Sequence, residues 1–237
     1  MKRKRDPFKQ GFSFDFSSMS FGNDWEDKEE IPRLSYIPAE FQHAEDMAEE
    51  IDWTKDYISI LAGTFVFGDL LEAIVYKHSL LPDKMYITTL GMNQENVDSL
   101  VNIVGYLGCK ELNLIVSHYF AGVERHKLLP YMQKEFKGYN INIAVLQSHC
   151  KICIIRSDRG DGAIVGSANL SSSNNVEQMI IMHDPKTIDY LQGRLDVIMD
   201  RFTIYRGLDG ELDMSKNKDN TAIKAYKAIT ERRKPHG

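Results

Sequence analysis

Cysteine is scarce in this 237-residue chain, which holds only Cys109, Cys150 and Cys153. An odd trio does not make a disulfide framework, so a reducing, cytoplasmic setting is expected. Long apolar runs are missing too. None approaches the roughly 20 residues a bilayer-spanning helix needs, and no membrane partner is expected. The basic start, Met1-Lys2-Arg3-Lys4-Arg5, lacks the apolar core of a secretion signal behind it. No internal repeat is visible. Strong positive charge is also absent: the net charge is −5, which argues against a wholly basic nucleic-acid binder.

What is present is a globular composition, 43% hydrophobic and 27% charged, in a chain long enough for one domain plus tails. The charge is unevenly spread. Residues 1–10 carry five Lys/Arg against one Asp, and residues 221–237 carry five against one Glu. Residues 24–30 reverse this, with five acids against one Lys. Basic ends on an acidic body suit a polyanion held at a localised site, or are plain solvated tails.

Periodicity divides the chain into a poorly ordered N-terminal arm over residues 1–38, one domain over 39–204 and a polar, basic C-terminal tail over 205–237. In the arm, Phe12-Ser13-Phe14-Asp15-Phe16 reads either as a stacking arm for single-stranded nucleic acid or as a segment that docks on the body or a partner. In the domain, strands are expected over 57–67, 84–90, 112–117, 141–146 and 176–183. Helices are expected over 39–51, from Asp69 as N-cap to about 79, and over 93–107, 123–135 and 187–202. Pro185 stands near the start of the last one. A short basic helix is expected over 221–233 in the tail. Strands alternating with helices of ten or more residues predict an α/β sheet covered on both faces.

The chemistry gathers between residues 149 and 177. His149-Cys150-Lys151 is followed fifteen residues later by Gly166-Ser167-Ala168-Asn169, and then by Glu177. Ile152–Ile155 and Ala163–Val165 flank a turn-rich stretch, Ser157–Gly162, and read as a β-hairpin. Residues two apart on a strand share a face. His149 and Lys151 therefore point one way, as do Ser167 and Asn169, and paired strands would bring all four to one pocket.

A phosphodiester resists nucleophiles because it is anionic. Cleaving it needs a nucleophile, a proton for the leaving oxygen and positive groups around the phosphoryl oxygens. An imidazole can attack phosphorus and form a phosphohistidine, but it cannot then protonate the leaving group. A second histidine is needed, and the chain has one such motif. A two-fold homodimer joining two copies of the patch would supply it. Lys151 and Asn169 would hold phosphate oxygens, with Ser167 and Gly166 completing the cradle. Glu177 would hydrogen-bond a histidine, fixing its tautomer; Asn174, Asn175 and Gln178 are alternatives for that position. Thr64 and Phe65, and His118 in Ser117-His118-Tyr119, would lie at the pocket rim beyond strand ends. Cys150 and Cys153 face opposite sides of a strand and are badly placed to share an ion. No metal and no cofactor are expected.

This segment resembles the phospholipase D superfamily, whose motif is His-x-Lys, four residues, Asp, six residues, Gly-Ser-x-Asn. His149, Lys151, Gly166, Ser167 and Asn169 match it. Arg156 stands where Asp is expected, and the gap to Gly166 is three residues longer. The resemblance covers roughly residues 55–202 and implies a mixed β-sheet flanked by helices, with one motif per chain. It also implies metal-independent diester cleavage in a homodimer. One motif, a small chain and basic ends favour a nuclease acting on nucleic acid, with DNA preferred to RNA. A catalytically degenerate nucleic-acid-binding protein of the same fold is the alternative, and a phospholipase the third reading.

Overall fold

The computed structural model describes residues 35–37, 44–62, 66–124, 127–170 and 176–212. Its frame is one ten-stranded mixed sheet. In chain order the strands and helices are β1 (Ser35–Ile37), α1 (Ala44–Glu50), β2 (Tyr57–Ala62), α2 (Phe67–Lys77), β3 (Pro82–Thr89), α3 (Gln94–Gly105), β4 (Leu112–Ser117), α4 (His118–Val123), α5 (Leu128–Glu135), β5 (Ile141–Leu146), β6 (Ile152–Ser157), β7 (Gly162–Gly166), β8 (Val176–Met182), α6 (Pro185–Phe202), β9 (Thr203–Arg206) and β10 (Glu211–Leu212). The spatial order is β1-β2-β8-β7-β6-β3-β4-β5-β9-β10. Strands β3, β4 and β5 are parallel. The β6–β7 hairpin and β8 join them antiparallel.

Side-chain alternation divides the core into two layers. Met85 and Ile87 of β3, Leu114 and Val116 of β4, Ile143 and Val145 of β5, and Cys153 and Ile155 of β6 face one way, against α1 to α5. Tyr86, Ile115, Ala144, Ile154 and Ala163 face the other way, against Ile188, Leu195 and Met199 of α6. Burial on both faces explains why the central strands read as continuous apolar runs rather than alternating ones. The expected α/β architecture, a mixed sheet with helices on both faces, is what the chain forms.

Several boundaries differ for physical reasons. Val66 rather than Asp69 caps α2; the Asp69 carboxylate instead accepts from the Ser99 hydroxyl of α3 at 2.6 Å. In place of the helix expected over 123–135 come two, α4 ending at Val123 and α5 starting at Leu128. Ser117 starts the first, its hydroxyl accepting from Phe120 N–H at 3.0 Å. Asn93 caps α3, and Asp184 caps α6 ahead of Pro185. Residues 203–206, divided by the expected boundaries between the domain and the C-terminal tail, form β9 against β5. The expected basic helix over 221–233 and the aromatic stretch Phe12–Phe16 lie outside the described residues.

Two fastenings hold the hairpin and α6. Gly160, at φ +115°, makes the turn. Its carbonyl accepts from the Trp53 indole at 3.2 Å. Gly162 leaves room for that ring, since a Cβ there would sit 2.5 Å from it. Arg156, in β6, bonds Asp161 at 2.7 Å in the turn, and Asp189 and Gln192 of α6 at 2.6 Å each. Tyr86 donates to Asp196 of α6; burial, with that carboxylate, pushes its pKa up to about 12.

Arg156→Asp would place a carboxylate among two others, so it should cost about 2–4 kcal/mol in a urea unfolding curve. An unchanged midpoint would mean this network carries no stability. Burial also depresses His78 below its ordinary pKa of 6.5. Its contribution is therefore complete above 6.5 and lost as pH falls through the lower folded value. Stability should drop from about pH 7 to 5, with a shallower slope in His78→Gln, as followed by thermal melting across that range.

Candidate active site

The motif residues lie where the carboxyl ends of β3, β4 and β5 meet the start of β6 and the end of β7. Ile152 pairs with Thr88 on one side and Val165 on the other. The entry to β6 and the exit from β7 are thereby adjacent, and Gly166 N–H donates to the Lys151 carbonyl at 3.1 Å.

Hydroxyls at the end of β3 anchor both segments. Thr88 Oγ1 accepts from Ile152 N–H at 2.8 Å. Thr89 Oγ1 accepts from Leu170 N–H at 3.0 Å and donates to the Gly91 carbonyl at 2.7 Å. Asn93 N–H donates to the Leu170 carbonyl at 3.2 Å. These threonines were not singled out from sequence. Two hydroxyls ending an apolar strand, before Gly91, were the available signal.

His149 is exposed and Lys151 partly so. The Lys151 ammonium lies 2.9 Å from His149 Nδ1 and 3.1 Å from the His149 carbonyl. An ammonium only donates, so Nδ1 is the acceptor and a neutral ring then carries its proton on Nε2. Among the described residues no carboxylate pairs with Lys151. Its charge is left for an anion.

Gly166, Ser167 and Glu177 form a second group. A Cβ on Gly166 would lie 2.5 Å from the Gln178 carbonyl, so the motif glycine permits close approach of β7 to β8. Ser167 exploits that approach. Its N–H donates to the Gln178 carbonyl at 3.1 Å, its Oγ accepts from Gln178 N–H at 3.0 Å, and its hydroxyl donates to Glu177. The Glu177 carboxylate, expected to meet a histidine, thus receives the serine hydroxyl. Asn169 turns the other way, its Oδ1 accepting from Leu90 N–H at 3.2 Å. The four side chains share one sheet edge, with the recorded bonds of Ser167 and Asn169 running to opposite flanks.

His118 begins α4 at the end of β4, on the same edge. Its Nε2 is enclosed without a hydrogen-bond partner among the described residues, and burial lowers its pKa below the ordinary 6.5. At neutral pH it is an uncharged imidazole. Thr64 and Phe65 lie outside the described residues, as do Asn174 and Asn175. Arg156 stands about 16 Å along β6 from Lys151, opposite Lys84, and touches none of these groups. Cys150 is exposed and Cys153 buried. Among the described residues no cluster of three or more His, Cys, Asp or Glu could hold a metal ion, and no helix is long and apolar enough to cross a membrane.

The chain is similar in fold to several solved structures. A phospholipase D family member, Nuc from Salmonella typhimurium, is 12% identical at a TM-score of 0.47, over 64% of this chain and 99% of that one. NucT from Helicobacter pylori is 16% identical at 0.45, over 63% and 99%. The motif resembles that of the phospholipase D superfamily, and that family is among these structures. Phosphatidylserine synthase from Haemophilus influenzae is 10% identical at 0.46, over 75% of this chain and 46% of that one. No family model and no curated protein matches the chain.

Gly166→Ala should cost about 1–3 kcal/mol, because the opposing atom is backbone and cannot swing away. A urea midpoint equal to that of the unaltered protein would show that β7 and β8 can part without cost.

Proposed function

We propose that the chain is a metal-independent phosphodiesterase, with nucleic acid as its substrate and DNA favoured. The observation that carries this reading is an exposed imidazole 2.9 Å from an ammonium that has no carboxylate partner among the described residues, beside the Gly166–Asn169 turn. An unneutralised cation next to a nucleophile suits an anionic diester.

His149 Nε2 attacks phosphorus. A P–N bond forms, the P–O bond to the leaving group breaks, and the leaving oxygen takes a proton from a second imidazole. That imidazole then takes a proton from water, whose oxygen attacks phosphorus and breaks the P–N bond. Each chain has one such motif, so the second imidazole is His149 of another copy in a homodimer. The sheet beside the site supports this assembly. Ile58 and Ile60 of β2 and Val176 of β8 are 42%, 50% and 57% exposed, an apolar strip of the kind that subunit contacts cover.

The attacking ring needs its lone pair on Nε2 and its proton on Nδ1. The recorded contact has Lys151 donating to Nδ1, which places the proton on Nε2 instead. An incoming diester draws the Lys151 ammonium onto a phosphoryl oxygen and frees Nδ1. Ser167, Gly166 and Asn169 shape the cradle, and Glu177 holds Ser167 in place. Arg156 stands away from the reacting atoms, so its departure from the family pattern leaves the chemistry intact.

Labelled single- and double-stranded DNA and RNA, incubated with the protein in excess EDTA, should be cleaved, with loss of at least about a thousandfold in His149→Ala. Intact strands with steeply salt-dependent binding would favour the non-catalytic binder, and headgroup release from vesicles a phospholipase. Ring-nitrogen NMR should find the neutral His149 proton on Nε2 in the free protein and on Nδ1 once vanadate is bound. An unchanged tautomer would sink the role given to Lys151.

A further inference from the structure

Beside Asn169 lies a groove of about 170 Å³, lined by Leu90, Gly91, Tyr119, Phe120, Val123 and Glu124. Resting on the phosphodiesterase reading above, we propose that this groove is a subsite for the base of an unpaired nucleotide next to the scissile phosphate, with Tyr119 as its stacking platform.

Four observations carry the assignment. Asn169 is shared between groove and motif, so a ligand in the groove is one side chain from the phosphate cradle. Tyr119 is 68% exposed and Val123 56%, while Phe120 beneath them is 5% exposed. That gives an apolar surface on a packed floor, suited to a flat aromatic ring. The walls are tied together: the Ser117 hydroxyl accepts from Phe120 N–H at 3.0 Å and donates to the Leu90 carbonyl at 2.6 Å. Leu90 N–H in turn donates to Asn169 at 3.2 Å. The helix bearing Tyr119 is thus linked through two hydrogen bonds to the motif asparagine.

The groove's lining is almost wholly apolar and offers no cation to a phosphate, whereas the flat face of a base suits it. The groove therefore takes the base, and the backbone stays on the Lys151 side. A paired base cannot tilt onto Tyr119 without unstacking. Single strands are the preferred substrate on this account.

The test uses the full chain in EDTA with three substrates: a single strand, the same strand with an abasic residue beside the cleaved phosphate, and the duplex. The base-bearing strand should be cut about tenfold or more faster than the abasic one, the effect of a single stacking contact. That ratio should fall towards one in Tyr119→Ala, and in Val123→Glu, which fills the groove. It should persist in Tyr119→Phe. Equal rates on base-bearing and abasic strands, a faster duplex, or an unaltered ratio in both groove variants would overturn the subsite. Absence of His149-dependent cleavage of any strand would instead overturn the phosphodiesterase reading. Anisotropy with the same strands then decides the subsite: a preference for the base-bearing strand that Tyr119→Ala removes supports it, and equal binding rejects it.

Discussion

Where antiparallel β6 joins parallel β3, the backbone N–H of Ile152 reaches the Thr88 hydroxyl at 2.8 Å, and the rest of the site follows from that register. A slip of β6 by one residue would turn Ile154 away from α6 and carry Cys153 and Ile155 out of the larger core. Both faces of the sheet are packed here, so the slip is strongly disfavoured. The register that buries these side chains also leaves His149 and Lys151 just beyond the strand, at the open edge. Core packing thereby positions polar groups that contribute nothing to the core.

Around that junction, short polar side chains replace missing ladder bonds. Thr89, Ser117, Asn169 and Ser167 each hold a neighbouring backbone group. Such bonds add roughly 1 kcal/mol each to stability, and their directionality holds an irregular edge rigid. On the phosphodiesterase proposal, a cradle for a phosphoryl group is best set before its ligand arrives, because donors that have to reorganise surrender much of their electrostatic benefit. Glu177 belongs to this supporting layer through Ser167, while Lys151 remains available for an incoming charge.

Arg156 gathers the charged groups at the far end of β6. In the family pattern an acid stands there. In this chain a guanidinium pairs with Asp161 and Asp189, acids supplied by the longer turn and by α6. An ionic fastening of the hairpin to α6 therefore exists, with its charges arranged around a cation, and it lies at the opposite end of β6 from His149.

Local pattern by itself determined the alternation of strands and helices, the hairpin, the sheet covered on both faces, and the position of His149 and Lys151 before the hairpin's first strand and of Gly166, Ser167 and Asn169 at the end of its second. Those features depend on period, turn residues and spacing along the chain, all of which are one-dimensional. Tertiary structure alone decided that Glu177 receives the Ser167 hydroxyl, that Asn169 turns towards Leu90, and that Thr88 and Thr89 anchor the edge. It also decided that residues 203–206 add a strand beside β5, and that Tyr119 faces a groove at Asn169. These contacts are set by which segments lie side by side in the order β8-β7-β6-β3-β4-β5-β9. Strand order is set by which apolar faces can be buried together across the whole sheet, a competition that no local window of sequence contains.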